Sequence, residues 1–175
     1  MNQVTSNTIA LPAFGTAIAG QGGYFAAIMR GPTVNGLQQP AIALIAADAA
    51  HEKTTSWGEY GEEIEGCDSR TDGHANTLAM LAANCPAAVH VRSITVDGHS
   101  DFFLPSIGEL NAAAANAPEL FDPTGVYYSS TQYSSGRAFA QDFEYGDSYW
   151  LCKGGQRLVR PFRAIPLQTL IASAL

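Results

Sequence analysis

The sequence predicts an α+β fold, and three observations carry that prediction. Two short apolar runs, residues 23–29 and 41–47, flank a stretch rich in Gly, Pro and Asn. Two helix-type segments with start signals follow, over 72–84 and 106–117. Beyond them, apolar and polar residues alternate in segments punctuated by turn residues. Strands, then helices, then strands, with no internal repeat, is the order of an α+β domain rather than of alternating βαβ units. A chain of 175 residues suits one domain with enough length to bury a core.

Taken in order, Gly23–Met29 and Ala41–Ala47 read as two buried strands of a hairpin joined through Gly31–Pro40. The segment around Trp57, Gly58, Tyr60 and Gly61 has no periodicity and reads as a long ordered loop. Asp72 is the N-cap expected for a first helix carrying Leu78, Met80 and Leu81, which stops near Asn84, before Pro86. Ser106-Ile107-Gly108-Glu109 is a capping box: the Ser106 hydroxyl accepts from the Glu109 amide while Glu109 reaches back. That second helix runs through Leu110 and Ala112–Ala115 to Pro118. Strands are expected over Val126–Thr131, Arg137–Phe143, Ser148–Leu151 and Leu158–Ile165. The last is read as one strand with Leu158, Arg160 and Phe162 on one face.

Charge is scarce, at 14% of residues against about 25% in soluble domains, and it is unevenly placed. None lies before Arg30 or after Arg163. Eight acids between Asp48 and Asp72, against Lys53 and Arg70, supply six of the seven net negative charges. A chain with this balance is not expected to bind nucleic acid, which needs a basic face. Lys153, Arg157, Arg160 and Arg163 cluster where there is no acid, and either pair locally or pack near the acidic segment. The uncharged beginning is not expected to be a secretory signal: Met1–Ser6 lacks Lys and Arg, and Pro12, Gly15, Gly20, Gly22 and Gly23 break the apolar residues. No window supplies the roughly 20 apolar residues of a membrane span. We expect residues 1–21 to form an extended arm and 166–175 a tail, with Leu167, Leu170, Ile171 and Leu175 at near-helical spacing.

Catalytic motifs are sparse. Cys67, Cys85 and Cys152 show no CxxC spacing, and free thiols are the simpler reading, with a Cys67–Cys85 bridge as the alternative. His51, His74, His90 and His99 form neither HExxH nor HxxxH, so no zinc site is expected. The chain has no GxSxG elbow and no Walker loop. Asp142 and Glu144, two apart on a strand, would share a face about 7 Å apart and are compatible with a hydrolytic pair. The most distinctive composition is Tyr127–Ser135, because tyrosine and serine together make adaptable contact surfaces. The alternative is that its tyrosines pack on the sheet and its serines serve turns.

Several of these segments, in order, resemble a bacterial and phage family of domains typified by the C-terminal domain of a collagen-like adhesin. Asp101–Asn111 (DFFLPSIGELN) resembles its D-W-[FY]-L-P-S-x-x-E-L-N segment. Tyr128–Ser135 is similar to its aromatic-Ser-Ser element, Arg137–Phe143 to its A-W-x-[QV]-[DN]-F strand, Leu158–Ala164 to its closing V-R-[PA]-V-R-A strand, and Asp72–Thr77 to its D-G-x-x-N-T segment. The resemblance implies a C-type-lectin-like fold over residues 22–165, with two helices packed on antiparallel sheets, first and last strands paired, and a long loop region presenting a variable surface. It also implies a binding or structural role in adhesins, cell-surface proteins or phage virions. Phe102 stands where the family has Trp, and Tyr127-Tyr128 where Tyr-Trp is common. The Glu-Pro-Asn and Trp-Asn-Asp triplets of calcium-dependent lectins are missing, so neither metal nor cofactor is expected.

The expectation that follows is a non-enzymatic, lectin-like module of a bacteriophage virion, on tail or capsid, forming a homo-oligomer. Its uncharged arm and tail would contact other virion subunits, and a host-surface glycan or protein would bind at Trp57, Tyr128, Gln132, Tyr133, Arg137, Tyr149 and Trp150. Trp57 and Trp150 are expected to face outward. The alternatives are a capsid decoration or assembly protein without receptor binding, and an oxidase of the formylglycine-generating type. The oxidase needs two cysteines together, whereas Cys152 stands alone near the end.

Overall fold

The computed structural model describes residues 11–173. Ordered along the chain, the strands are β1 (Ala17–Ile18), β2 (Gly23–Met29), β3 (Thr33–Val34), β4 (Leu37–Gln38), β5 (Ile42–Ala46), β6 (Lys53–Thr55), β7 (Val126–Ser134), β8 (Arg137–Asp142), β9 (Ser148–Cys152), β10 (Arg157–Val159) and β11 (Phe162–Pro166). The α-helices are α1 (Gly73–Ala82), α2 (Pro86–Arg92), α3 (Ile107–Asn116) and α4 (Leu167–Ser173). Hydrogen bonding sorts most strands into two sheets, one ordered β1-β2-β5-β11 and one ordered β6-β10-β7-β8-β9. The α+β expectation is met, with four α-helices among the described residues where two were expected.

The expected hairpin of β2 and β5 forms, Tyr24 opposite Ala46 and Met29 opposite Ile42. Inside its connection sits the small β3–β4 hairpin, turned by Asn35 and Gly36 at φ 51° and 77°. Two residues at positive φ give the primed turn that matches strand twist. Both helix starts hold as read: Asp72 accepts from the Ala75 amide, and the Ser106–Glu109 capping box is complete. Pro86, read as the residue that stops α1, instead opens α2 at its first turn, where its missing N–H costs nothing.

The resemblance to a lectin-like domain implied antiparallel sheets with first and last strands paired; the sheets are antiparallel except at one junction, and the pairing is not observed. β2 and β11 each pair with β5 from opposite sides, and β10 runs parallel to β7. The strand expected over Leu158–Ile165 is broken at Arg160-Pro161, where the chain leaves the second sheet and enters the first. Pro161 has no N–H to give a ladder.

One apolar cluster lies between the first sheet, α3 and β7, built on Leu44, Ala46, Phe162, Leu110, Ala113 and Tyr127. A second joins α1 and α2 to the second sheet through Met80, Val91, Tyr128, Ala138, Ala140 and Val159. The far face of the first sheet carries a third, where Leu170 of α4 covers Phe25, Ala43 and Ile45. The tail helix therefore docks on its own domain. Of the arm, residues 1–10 lie outside the described residues, while Gly15 and Thr16 bond to Phe25 and β1 pairs with β2.

The basic segment does reach the acidic one. Arg160 pairs with Glu52 at 2.5 Å and also donates to the carbonyls of Ala47 and Leu120. Arg163 instead holds Asp101 with two nitrogens, which keeps that carboxyl below the usual carboxylate range despite partial burial.

Candidate functional site

Burial divides the expected ligand residues into two sets. Trp57, expected outside, is 0% exposed; its indole N–H donates to the Ser129 carbonyl, and the Lys153 ammonium stands 4.6 Å from its ring centre. Tyr128 is 1% exposed, its hydroxyl donating to the Cys152 and Gly155 carbonyls. Gln132 is buried: its Oε1 accepts from Ile64 N and Lys153 Nζ, and its Nε2 donates to Ile64 O. Tyr149 points to the inner side of β9 and bonds to Asp142 Oδ2 at 3.0 Å. Burial, then that carboxylate, raises its pKa.

Around Gln132 the cause lies in β7. Its register against β8 shifts between Tyr128 and Gln132, which stands opposite Ala138, and again before Ser134, so Ser129–Thr131 leave the ladder and bond elsewhere. Ser130 N donates to Pro105 O, and Gln132 N to Cys67 O. Thr131 Oγ1 accepts from Ile107 N and donates to Ser69 O, and Asn76 Nδ2 reaches Ser130 Oγ. The Tyr/Ser patch expected as a contact surface is thus mostly an internal junction where three loops are tied to one strand. Buried polar groups persist only when they are partnered, and every one here is.

The other set shares one exposed face. Arg137, Phe139 and Gln141 alternate along β8, opposite Cys152, Trp150 and Ser148 of β9. Tyr133, at the second register shift of β7, lies parallel to Trp150 with ring centres 4.5 Å apart and an interplanar angle of 6°. Phe139 meets Tyr133 edge-on at 5.3 Å, and the Arg70 guanidinium sits 4.6 Å over Phe139. Tyr133 and Trp150 remain 48% and 42% exposed. At one end of this platform stands the exposed Arg137. At the other, Ser148 Oγ lies 2.7 Å from Gln141 Oε1 and 2.8 Å from Asn111 Oδ1 of α3. The Tyr60 ring lies against Gly136 in the β7–β8 turn, where a Cβ would come within 2.8 Å of it. A rigid stacked pair on a sheet, rimmed by a guanidinium and amide groups, offers a flat ligand both apolar contact and oriented hydrogen bonds.

Of the residues expected from the sequence, Tyr133, Arg137 and Trp150 are the ones the structure brings together on an exposed face. Phe139 follows from strand alternation, but Arg70, Tyr60 and Asn111 arrive from distant segments and carry no local signal. The carboxylates read as a hydrolytic pair do not share a strand. β8 ends at Asp142, whose Oδ1 accepts from the amides of Glu144 and Tyr145 and so caps the turn. Cys67 and Cys85 are buried free thiols, pushed up to about 12 and about 11 chiefly by burial; Cys152 is exposed. Among the described residues, no three His, Cys, Asp or Glu side chains are grouped to hold a metal, and no helix is long and apolar enough to cross a membrane.

No protein-family model matches the chain, and no curated protein matches it. A crystal structure of a fimbrial protein from Bacteroides ovatus ATCC 8483 is similar in fold, with a TM-score of 0.55 at 10% identity. The match covers 80% of this chain and 43% of that one, so the chain spans less than half the length of the fimbrial protein. At this identity the likeness is one of fold: the chain is an α+β domain that shares its architecture with part of a fimbrial protein.

Proposed function

We propose that the chain is a non-enzymatic, lectin-like recognition module of a bacteriophage virion, carried on tail or capsid, that takes a host-surface saccharide on the Tyr133–Trp150 platform. The observation that carries this reading is a stacked aromatic pair left open to solvent on the face of a sheet. The apolar C–H face of a pyranose ring stacks on such a surface, and its equatorial hydroxyls reach outward to donors and acceptors. Arg137 at one end and the exposed Asn111 and Ser148 at the other supply these. No step of this recognition requires a metal.

The finer fold belongs to the same proposal: a C-type-lectin-like variant in which β2 and β11 flank β5 instead of pairing directly. In its favour, early and late strands meet in one sheet while the middle of the chain builds the second. The likeness to a fimbrial protein agrees with a role in a surface structure. A non-enzymatic reading draws support from Asp142, whose oxygens are taken by turn amides and Tyr149.

The test is binding of the full chain to an array of bacterial lipopolysaccharide and capsular saccharides, followed by titration of the best ligand. Aromatic anchors of this kind account for about 2 kcal/mol or more when truncated. Trp150→Ala is therefore expected to weaken binding at least about tenfold while leaving the melting temperature within a few degrees. A wild-type chain that binds no saccharide, or a Trp150→Ala chain that binds as wild type does, overturns the proposal.

A further inference from the structure

Of the four edges of the two sheets, three are short, charged or covered. β1, at one edge of the first sheet, is two residues long. β11, at the other, is met by Phe103, which exchanges two backbone bonds with Phe162, and it ends on Pro166. β6, at one edge of the second sheet, is three residues long and begins on the exposed Lys53. Short strands, charges, proline and cover are the devices that keep sheet edges from pairing with other chains. β9 has none of them. Ser148-Tyr149-Trp150-Leu151-Cys152 is five residues without charge, proline or glycine, and its Trp150 is 42% exposed.

The direction of its backbone groups follows from the bonds at its two ends. Asp147 O accepts from Asp142 N, and Lys153 N donates to Gly136 O. In an antiparallel pair, hydrogen-bonded and non-hydrogen-bonded positions alternate, so Tyr149 and Leu151 also face β8, opposite Ala140 and Ala138. Ser148, Trp150 and Cys152 therefore turn their main-chain N–H and C=O away from β8. Cys152 O is taken, by the Tyr128 hydroxyl and by Gly155 N. Among the described residues, no main-chain bond from outside the β8 ladder reaches Ser148, Trp150 or the Cys152 amide.

The geometry points to β9 as an interface with a second copy of this chain, the two strands antiparallel about a two-fold axis at Trp150. Each Trp150 then exchanges N–H and C=O bonds with Trp150 of the partner subunit. Each Cys152 N–H donates to the carbonyl of Ser148 of the partner subunit, and the Ser148 N–H, for which the occupied Cys152 O has no room, stays at the rim. The edge is thus complementary to itself, as an isologous contact requires. Charge favours a second copy over an unrelated strand. Asp147 precedes β9 and Arg137 stands beside its far end, opposite Cys152, and neither belongs to an ion pair of its own chain. Antiparallel pairing sets the acidic end of each strand toward the basic end of the other. The two Trp150 residues meet across the axis with Cα atoms about 5.5 Å apart, an aromatic pair of the kind that stabilises strand pairing. Two separate Tyr133–Trp150 stacks become one aromatic strip on the exposed face of a continuous sheet.

The test is sedimentation velocity of the full chain over a wide range of concentration. One strand pair and two indoles make a small interface, so a monomer–dimer equilibrium is expected with a dissociation constant on the order of 10–100 μM. Cys152→Pro removes an N–H that points away from β8, so the β8–β9 ladder keeps its bonds; Trp150→Lys sets two like charges face to face across the axis. Each is expected to weaken the dimer at least about tenfold while circular dichroism stays that of the wild type. The register has its own readout. Cys152 lies about 14 Å along the strands from Cys152 of the partner subunit by strand rise, so the wild type should form no disulfide across β9. In Ser148→Cys the new thiol faces Cys152 of the partner subunit with Cα atoms about 5.5 Å apart, and mild oxidation is expected to give a covalent dimer. A chain that stays monomeric at millimolar concentration, or a dimer unchanged in both edge variants, overturns the inference. So does a chain that dimerises only after residues 1–10 are removed, which would give the edge to that segment instead. The inference stands on the edge of the sheet and survives or fails independently of saccharide binding.

Discussion

Glu109 illustrates how much one side chain can be asked to do. It caps α3 through its own capping box and fixes the first turn of α1 through Gly73, all from a position shut off from bulk water. The cost is a carboxyl raised from 4.5 to about 7 by burial. Between those two values the folded protein holds a proton on Glu109 that the unfolded chain has released. Stability from this group is therefore fully present below about pH 4.5 and is lost as pH climbs to about 7. A shift of this size corresponds to about 3 kcal/mol. Urea denaturation of wild type and Glu109→Gln should show the variant gaining on the wild type by up to about 3 kcal/mol between pH 5 and pH 8. A difference that does not change with pH would refute the assignment. The carboxyls of Asp48, Asp101 and Asp122 are all lowered, so their titration falls below this window.

Among the elements, α1 and α3 meet end to end at Gly73. A Cβ there would come within 2.5 Å of Ser106 N and 2.6 Å of Leu104 O, both backbone atoms with no freedom to retreat. Gly73→Ala is expected to cost about 1–3 kcal/mol, the usual penalty of overpacking, measurable as a lower denaturation midpoint; an unchanged midpoint would show that the contact relaxes. Both helices were legible because helix starts are signalled locally, by Asp72 and by the Ser106–Glu109 pair. α2 was not, because Pro86 serves equally to end one helix and begin the next. The single strand read over Leu158–Ile165 failed for a different reason. Alternation continues through Arg160-Pro161 although the hydrogen-bond partners change there from one sheet to the other. The exposed aromatic face was legible as far as Tyr133, Arg137 and Trp150. Trp57, Tyr128 and Gln132 have the same composition as a contact surface. They turn inward onto partners distant in sequence, the carbonyls of Ser129 and Cys152 and the Lys153 ammonium, which the residue types do not encode.

At the scale of the molecule, Arg160 holds the place where the chain passes between sheets. Its guanidinium bonds to the end of the β5 segment at Ala47, to Glu52 and to Leu120, and lies 5.5 Å from the Phe121 ring centre. Arg160 is 2% exposed, so removing it strands the Glu52 carboxylate in a mostly buried setting. Arg160→Ala is expected to lower the unfolding free energy by about 3–5 kcal/mol, as for other broken buried pairs. Adding Glu52→Ala should restore part of that loss, because the unpaired charge goes with it. Purely additive losses in guanidinium titrations would show that the pair contributes nothing beyond its separate members.

The pairing of β11 with β5 also sets the order in which the chain can finish folding. Arg160 reaches back 113 residues to Ala47, and Arg163 142 residues to Gln21. While the ribosome is still working on the second sheet, β5 has β2 on one side and an open edge on the other, with Ala43 and Ile45 not yet covered by the tail helix. Contacts so distant in sequence form slowly, and an uncovered edge strand invites pairing with other chains. The first sheet is thus the earliest to begin and the last to close, and the nascent protein is most exposed to misassembly in the interval between.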